Sequence, residues 1–229
     1  MEVPIRNKEL LKRLDTLVDE FYGLYEERRD DIKIFQGSAD SSFKPESDIS
    51  WYMSRERLQY YLDHWKDHDG DPQDYRAVPV GNLRKGDSET WNELYEKWRF
   101  KFTTDIGVSS CALMNFYPQK GLTGWHTNWG ANAYQVLFTW SKTGNGFFAY
   151  YDKEKDEVVK IQDKPGWQCR WFYFGRKDEP EHHCWHGCYT DDERITLAYK
   201  ISNESKSSPK DEYAQMLRDE LVEDIMREE

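Results

Sequence analysis

The chain lacks an apolar stretch of membrane-spanning length. Its uninterrupted apolar runs are short, as in Val136-Leu137-Phe138, and Met1 leads into Glu2, Arg6 and Lys8 rather than an apolar leader. A soluble, non-secreted, cytoplasmic protein with no membrane partner is expected. Cysteine is scarce: Cys111, Cys169, Cys184 and Cys188 contain no CxxC pair, which argues against a disulfide scaffold and fits reduced thiols. Positive charge is in deficit, with 32 Lys+Arg against 43 Asp+Glu and a net charge of -11. Non-specific nucleic-acid binding draws on many Lys and Arg contacts to phosphate, so this balance counts against a general DNA or RNA binder. Acyl transfer and nucleotide hydrolysis have no starting motif, because the chain holds neither a Gly-x-Ser-x-Gly elbow nor a Walker-type loop. Internal repeats and low-complexity segments are also missing.

Aromatic residues, by contrast, are plentiful. They make up 16% of the 229 residues, with ten Trp and fifteen Tyr, a composition suited to a packed sheet fold. The length suffices for one domain with a full core. Leu10, Leu11, Leu14, Leu17, Val18, Phe21 and Tyr25 recur at three- and four-residue steps and predict an amphipathic helix from Arg6 to about Arg29. Gly37 to Asp48 reads as a loop, and Trp51 to His64 as a second helix. The string Asp67-His68-Asp69-Gly70-Asp71-Pro72 reads as a solvated turn, since no Glu closes it as an EF-hand loop would require. Ser88 caps a further helix to about Phe102.

From there β-branched and aromatic segments follow one another: Cys111 to Tyr117, Tyr134 to Trp140, Phe147 to Tyr151, Glu157 to Ile161, Gln168 to Phe174, His182 to Thr190 and Arg194 to Ile201. Gly144-Asn145-Gly146 reads as a hairpin turn. Evenly spaced short strands point to a sandwich or barrel. A last amphipathic helix begins at Ser208-Pro209, with Tyr213, Met216, Leu217, Leu221 and Ile225 as its apolar stripe. Docking on its own domain is the first role of such a stripe, and homodimerisation the second.

Candidate chemistry centres on Trp125-His126-Thr127-Asn128-Trp129. His126 and Asn128 are one residue apart, which on a strand puts both side chains on one face. Two ligands from one strand end and a third from a distant strand occupy one face of an octahedral ion. Asn115 and Tyr117 share a strand face upstream and can hydrogen-bond a carboxylate or keto oxygen. Arg194 and Thr196 share a face on the last strand, where a guanidinium fork beside a hydroxyl suits a dicarboxylic acid.

Asn115-x-Tyr117, His126-x-Asn128, a distal His and Arg194-Ile195-Thr196-Leu197 together resemble the Fe(II)/2-oxoglutarate-dependent oxygenase superfamily, in its alkylation-repair and prolyl-hydroxylase-like branches. The resemblance covers about residues 111 to 201. It implies a double-stranded β-helix (jelly-roll) core, mainly β with flanking helices. Residues 1–104 would form a mostly helical support region, 105–202 the core and 203–229 an acidic C-terminal helix, all in one domain. It further implies Fe(II) as cofactor and 2-oxoglutarate as cosubstrate, the latter held by Asn115, Tyr117, Arg194 and Thr196. The activity implied is that of an oxidoreductase, a dioxygenase hydroxylating or oxidatively demethylating its substrate. For the distal ligand, His183 is preferred over His186, and His182 stands beside them. Trp125, Trp129 and Tyr134 are candidates for lining a substrate site, against the plainer reading that sheet aromatics fill the core. A protein, peptide or small-molecule substrate is favoured over nucleic acid by the acidic charge.

Asn128 departs from the pattern, which calls for Asp or Glu there. A neutral amide holds Fe(II) more weakly than a carboxylate. The alternative to an active enzyme is therefore a catalytically inactive protein that keeps the barrel for binding or structure. A third reading takes His182, His183, Cys184, His186 and Cys188 as a zinc site, although no second ligand pair matches it.

Overall fold

The computed structural model describes residues 2–29, 33–38, 49–64, 70–80, 93–98, 110–131, 133–201 and 212–228. Eleven strands are β1 (Glu2–Val3), β2 (Phe35–Gly37), β3 (Tyr75–Pro79), β4 (Ser110–Tyr117), β5 (Leu122–His126), β6 (Ala133–Ser141), β7 (Gly146–Asp152), β8 (Glu157–Gln162), β9 (Gly166–Phe174), β10 (His186–Thr190) and β11 (Arg194–Ile201). Helices α1 (Lys8–Glu27), α2 (Arg55–His64) and α3 (Glu212–Met226) flank them.

The pairings among these strands are antiparallel. One sheet runs β1-β9-β6-β11-β4 and the other β5-β10-β7-β8, with β3 hydrogen-bonded to both β4 and β5. Along the chain, β4 and β5, β6 and β7, β8 and β9, and β10 and β11 each step from one sheet to the other. That alternation winds two antiparallel strand pairs into a double-stranded β-helix, and β3 closes one edge into a curled half-barrel.

Alternation along each strand sorts the side chains. Inside the barrel, Leu137, Phe148, Phe174 and Ala198 pack together with Leu113, Ile161 and Phe172. On the outer face of the larger sheet, Met114, Phe116, Phe138, Ile195 and Leu197 meet Leu10, Leu14, Leu17 and Phe21 of α1, and Ala214, Leu221 and Ile225 of α3. Helix α1 starts where the Asn7 side chain accepts the Leu10 N–H at 2.9 Å. On the outer face of the smaller sheet, Tyr52, Leu58 and Tyr61 cover Leu122, Trp125, Ala149 and Tyr189. A buried ion pair fastens this layer: Arg57 donates through Nε to Asp74 Oδ2 at 2.7 Å and through Nη2 to Asp74 Oδ1 at 2.6 Å.

Several expectations change. The N-terminal support region is helical but also supplies β1, β2 and β3 to the sheets. The strand expected from His182 starts at His186, because Pro180–His182 forms a 3-10 turn instead. Gly144-Asn145-Gly146 turns between β6 and β7, which lie in different sheets, so it is a barrel corner and not a hairpin. The predicted helix from Ser88 to Phe102 falls mostly outside the described residues, of which 93–98 are helical. The Gly37 to Asp48 loop, the start of the acidic turn at Asp67 and the Ser208-Pro209 helix start also lie largely outside them. Within the described residues, no helix is long and apolar enough to cross a membrane.

Candidate functional site

His126 ends β5 and His186 begins β10, and the two are register partners across the open end of the smaller sheet. Cys188 pairs with Thr123 two residues further along β10 but three residues back along β5, so β5 carries one extra residue, a bulge. Without it, strict alternation would turn Trp125 inward with Thr123 and His126 outward. The bulge turns His126 in beside His186, with ring centroids 4.0 Å apart.

Close backbone contacts require glycine here. A Cβ on Gly124 would lie 2.6 Å from Asp74 Cβ, and one on Gly187 would lie 2.6 Å from the Thr123 carbonyl oxygen.

Both rings are locked in the same tautomer. Nδ1–H of His126 donates to the Gly124 carbonyl at 2.8 Å, and Nδ1–H of His186 donates to the Cys184 carbonyl at 2.8 Å. A carbonyl only accepts, so Nδ1 carries a proton in each ring, and in the neutral form the lone pair is on Nε2, the usual state of a metal-binding histidine. Burial, followed by the neighbouring His126, pushes the His186 pKa well below its ordinary value. His186 is therefore neutral near pH 7, as a ligand must be.

Asn128 lies beyond the end of β5, so a two-residue strand period does not place it. Its backbone is left-handed, at φ 58, and the N–H groups of Thr127 and Asn128 both donate to the Gly70 carbonyl. The turn brings the Asn128 side chain back, and Nδ2 donates to His186 Nε2 at 3.3 Å.

His183, preferred on chain spacing, sits apart from this group: its Nε2–H donates to the Arg176 carbonyl at 2.7 Å and its ring lies against Trp129. The residues that meet at the barrel mouth are thus His126, Asn128 and His186. The zinc reading does not hold among the described residues, where no three His, Cys, Asp or Glu side chains gather. His182 lies edge-on to Tyr173, and Cys188 packs against Tyr117 inside the barrel.

Of the aromatic candidates, only Trp129 is near the mouth, between His183 and Lys177. Trp125 points the other way: it is fully buried under α2, and its indole N–H donates to the Ser54 carbonyl at 3.1 Å. Tyr134 is also outward, packed edge-on against Trp171 and Tyr173 and close to Arg218 of α3. Core packing accounts for both.

Further along the barrel interior, a buried cluster of polar side chains follows the histidines. Asn115 Nδ2 donates to Tyr117 Oη at 3.3 Å, and that phenol shares a hydrogen bond with Thr123 Oγ1 at 3.0 Å. Asn115 Oδ1 is buried without a hydrogen-bond partner. The Arg194 guanidinium lies over the Tyr117 ring, at 5.4 Å from its centroid. It donates to Asp163 Oδ2 at 2.9 Å, Thr196 Oγ1 at 2.6 Å and Thr139 Oγ1 at 3.4 Å. Burial alone would lower the Arg194 pKa, but the Asp163 carboxylate holds it above its ordinary value. These bonds use three of a guanidinium's five donors.

The sequence singles out Asn115, Tyr117, Arg194 and Thr196, which the structure brings together, but not Asp163, Arg170 and Thr139 beside them. Arg170 has a readable signal, a charged residue in period-2 register with Phe172 and Phe174 on one strand face. Asp163 has none, because a turn acid looks like any solvated one.

Strand order and register define a double-stranded β-helix protein, in which His126 and His186 lie ring beside ring across β5 and β10. No protein-family model and no curated protein matches the chain. Among solved structures, it is similar to a 2OG-Fe(II) oxygenase family oxidoreductase from Burkholderia pseudomallei at 14% identity and TM-score 0.36, over 63% of this chain and 76% of that one. A Pseudomonas putida prolyl-4-hydroxylase matches at 12% identity and TM-score 0.31, over 77% and 97%. A Bordetella pertussis cupin domain matches at 16% identity and TM-score 0.30, over 56% and 94%. At such scores the fold assignment rests on strand order and register.

Proposed function

We infer that the chain is an Fe(II)- and 2-oxoglutarate-dependent oxygenase. The observation that carries this reading is the matched pair His126 and His186, each with Nδ1–H tied to a carbonyl and the two rings 4.0 Å apart. In their neutral form the two imidazoles, with the Asn128 amide oxygen, fit a divalent ion once the amide turns its oxygen inward. When bound, the metal with 2-oxoglutarate would supply the oxidising chemistry, coupled to release of succinate and carbon dioxide. The chain's own residues do the rest. His126 and His186 hold the ion, Arg194 and Thr196 anchor the far carboxylate, and Asn115 and Tyr117 orient the near end of the cosubstrate.

A second reading has its own observation. Asn128 now offers His186 Nε2 a hydrogen where the pattern wants an anion, which suits a protein that keeps the barrel as a binding scaffold without turnover. Titration with Fe(II) and measurement of succinate release in the presence of 2-oxoglutarate and ascorbate separate the two. The oxygenase reading expects Fe(II) binding lost in His186→Ala, kept in His183→Ala, and succinate formed by the unaltered protein. No Fe(II) affinity and no succinate would establish the scaffold instead.

A further inference from the structure

Arg170 belongs to the inward row of β9, with Gln168 before it and Phe172 after it, and is only 2% exposed. Its Nη2 donates to Gln168 Oε1 at 3.1 Å, its Nη1 lies 3.6 Å from Asp163 Oδ1, and its Nε is buried without a hydrogen-bond partner. The same Asp163 carboxylate receives Arg194 Nε at 2.9 Å on its other oxygen. Two buried guanidinium groups therefore share one carboxylate, and the cluster keeps one excess positive charge. Asp74, the other buried acid among the described residues, is engaged by Arg57 on the far side of the smaller sheet. Glu2, the register partner of Arg170, is exposed and pairs with Lys164 at 3.1 Å. An unbalanced charge in a low-dielectric interior is expensive unless a counter-ion joins it.

We propose that Arg170 is a specificity-determining residue: beside Arg194 it makes the buried cluster cationic, so that the barrel interior selects a ligand ending in a carboxylate. The proposal deepens the oxygenase reading and rests on it for the choice of dicarboxylate. Asp163 positions both guanidinium groups and trims their combined charge to match one carboxylate. Arg194 alone, neutralised by Asp163, would offer hydrogen bonds without net charge. Arg170 restores the charge.

The test is direct binding, with no turnover involved. 2-Oxoglutarate, succinate and inorganic phosphate are titrated calorimetrically into the full chain and into Arg170→Gln, Arg170→Lys and Asp163→Asn. Arg170→Gln should weaken both dicarboxylates by about tenfold or more while the protein melts no lower, because Asp163 and Arg194 remain a balanced pair. Arg170→Lys, which keeps the charge, should recover part of the affinity. Asp163→Asn should melt lower alone, bind dicarboxylates more tightly, and regain thermal stability as they are added. Wild-type affinity in Arg170→Gln overturns the proposal and leaves the oxygenase reading standing on Arg194. Binding of phosphate but not of either dicarboxylate, weakened by Arg170→Gln, leaves the cationic cluster standing as an anion site and removes the oxygenase reading. No binding of any of the three overturns the proposal, and succinate release then judges the oxygenase reading separately.

Discussion

At the scale of single residues, charge at position 128 tests the proposed metal site. Replacing Asn128 by Asp changes an amide to an anion at the edge of a buried pair of imidazoles, where charge is poorly screened. The expected outcome is Fe(II) affinity raised by about tenfold or more, read by metal titration. A second consequence concerns pH. The folded-state pKa of His186 lies below its ordinary value of 6.5, with burial as the main cause, and that of His183 is lowered likewise. Between the lowered value and 6.5 the unfolded chain holds more protons than the folded one, so stability is full above 6.5 and declines as pH falls. Each such group contributes a slope of at most about 1.4 kcal/mol per pH unit. Thermal melts from pH 7.5 to 5 should show His186→Gln losing less stability on acidification than the unaltered chain.

The histidine pairing shows how far residues alone can be read. His126, Arg194 and Thr196 stand out in the sequence because their residue types suit the chemistry the resemblance implies, whereas Asp163, Arg170 and Thr139 around Arg194 do not. His186 ranks second on sequence because chain spacing cannot reveal that the residues before it fold into a 3-10 turn.

Among the elements, the β5 bulge controls which way His126 faces. Gly124→Ala puts a Cβ 2.6 Å from Asp74 Cβ and 2.8 Å from its carbonyl oxygen, so backbone must shift. We expect about 1–3 kcal/mol of destabilisation in chemical denaturation, with Fe(II) binding impaired even where the fold survives. Helix α3 presents a simpler case. Leu221 and Ile225 are buried on the larger sheet, and the Ile225 carbonyl accepts the N–H groups of Arg6 and Asn7. Leu221→Ala should therefore destabilise the protein by about 2–5 kcal/mol. Amphipathic periodicity reveals α1 and α3 well. Strand β3 is not anticipated from the sequence, and β5 is anticipated only as a strand end at His126, because Gly124 and the bulge break its two-residue period.

For the molecule as a whole, stability depends on how the helical layer is tied to the barrel. Arg57 and Asp74 are both buried, and Ser38 donates a further hydrogen bond to the carboxylate at 2.8 Å. Asp74 also offers its backbone carbonyl to Gly124 N–H at 2.7 Å, so one residue links α2, β3 and the bulge. Removing one partner strands the other charge, and Arg57→Ala should cost about 3–5 kcal/mol, whereas Arg57→Met combined with Asp74→Leu should restore most of the loss. Equilibrium unfolding of the single and double variants measures both. Barrel class is readable from the run of short strands, but this tie is not, because Arg57 sits in a polar-looking helix and Asp74 in an acidic turn.

The left-handed backbone at Asn128 has a consequence for how this site can change over generations. That conformation is comfortable for Gly, Asn and Asp and strained for most other side chains. Selection on the shape of the turn therefore confines the position to a few residues, of which one carries a carboxylate. The shape of the turn and the charge beside His186 are therefore separable, and exchange between Asn and Asp alters the charge without refolding the turn that presents it.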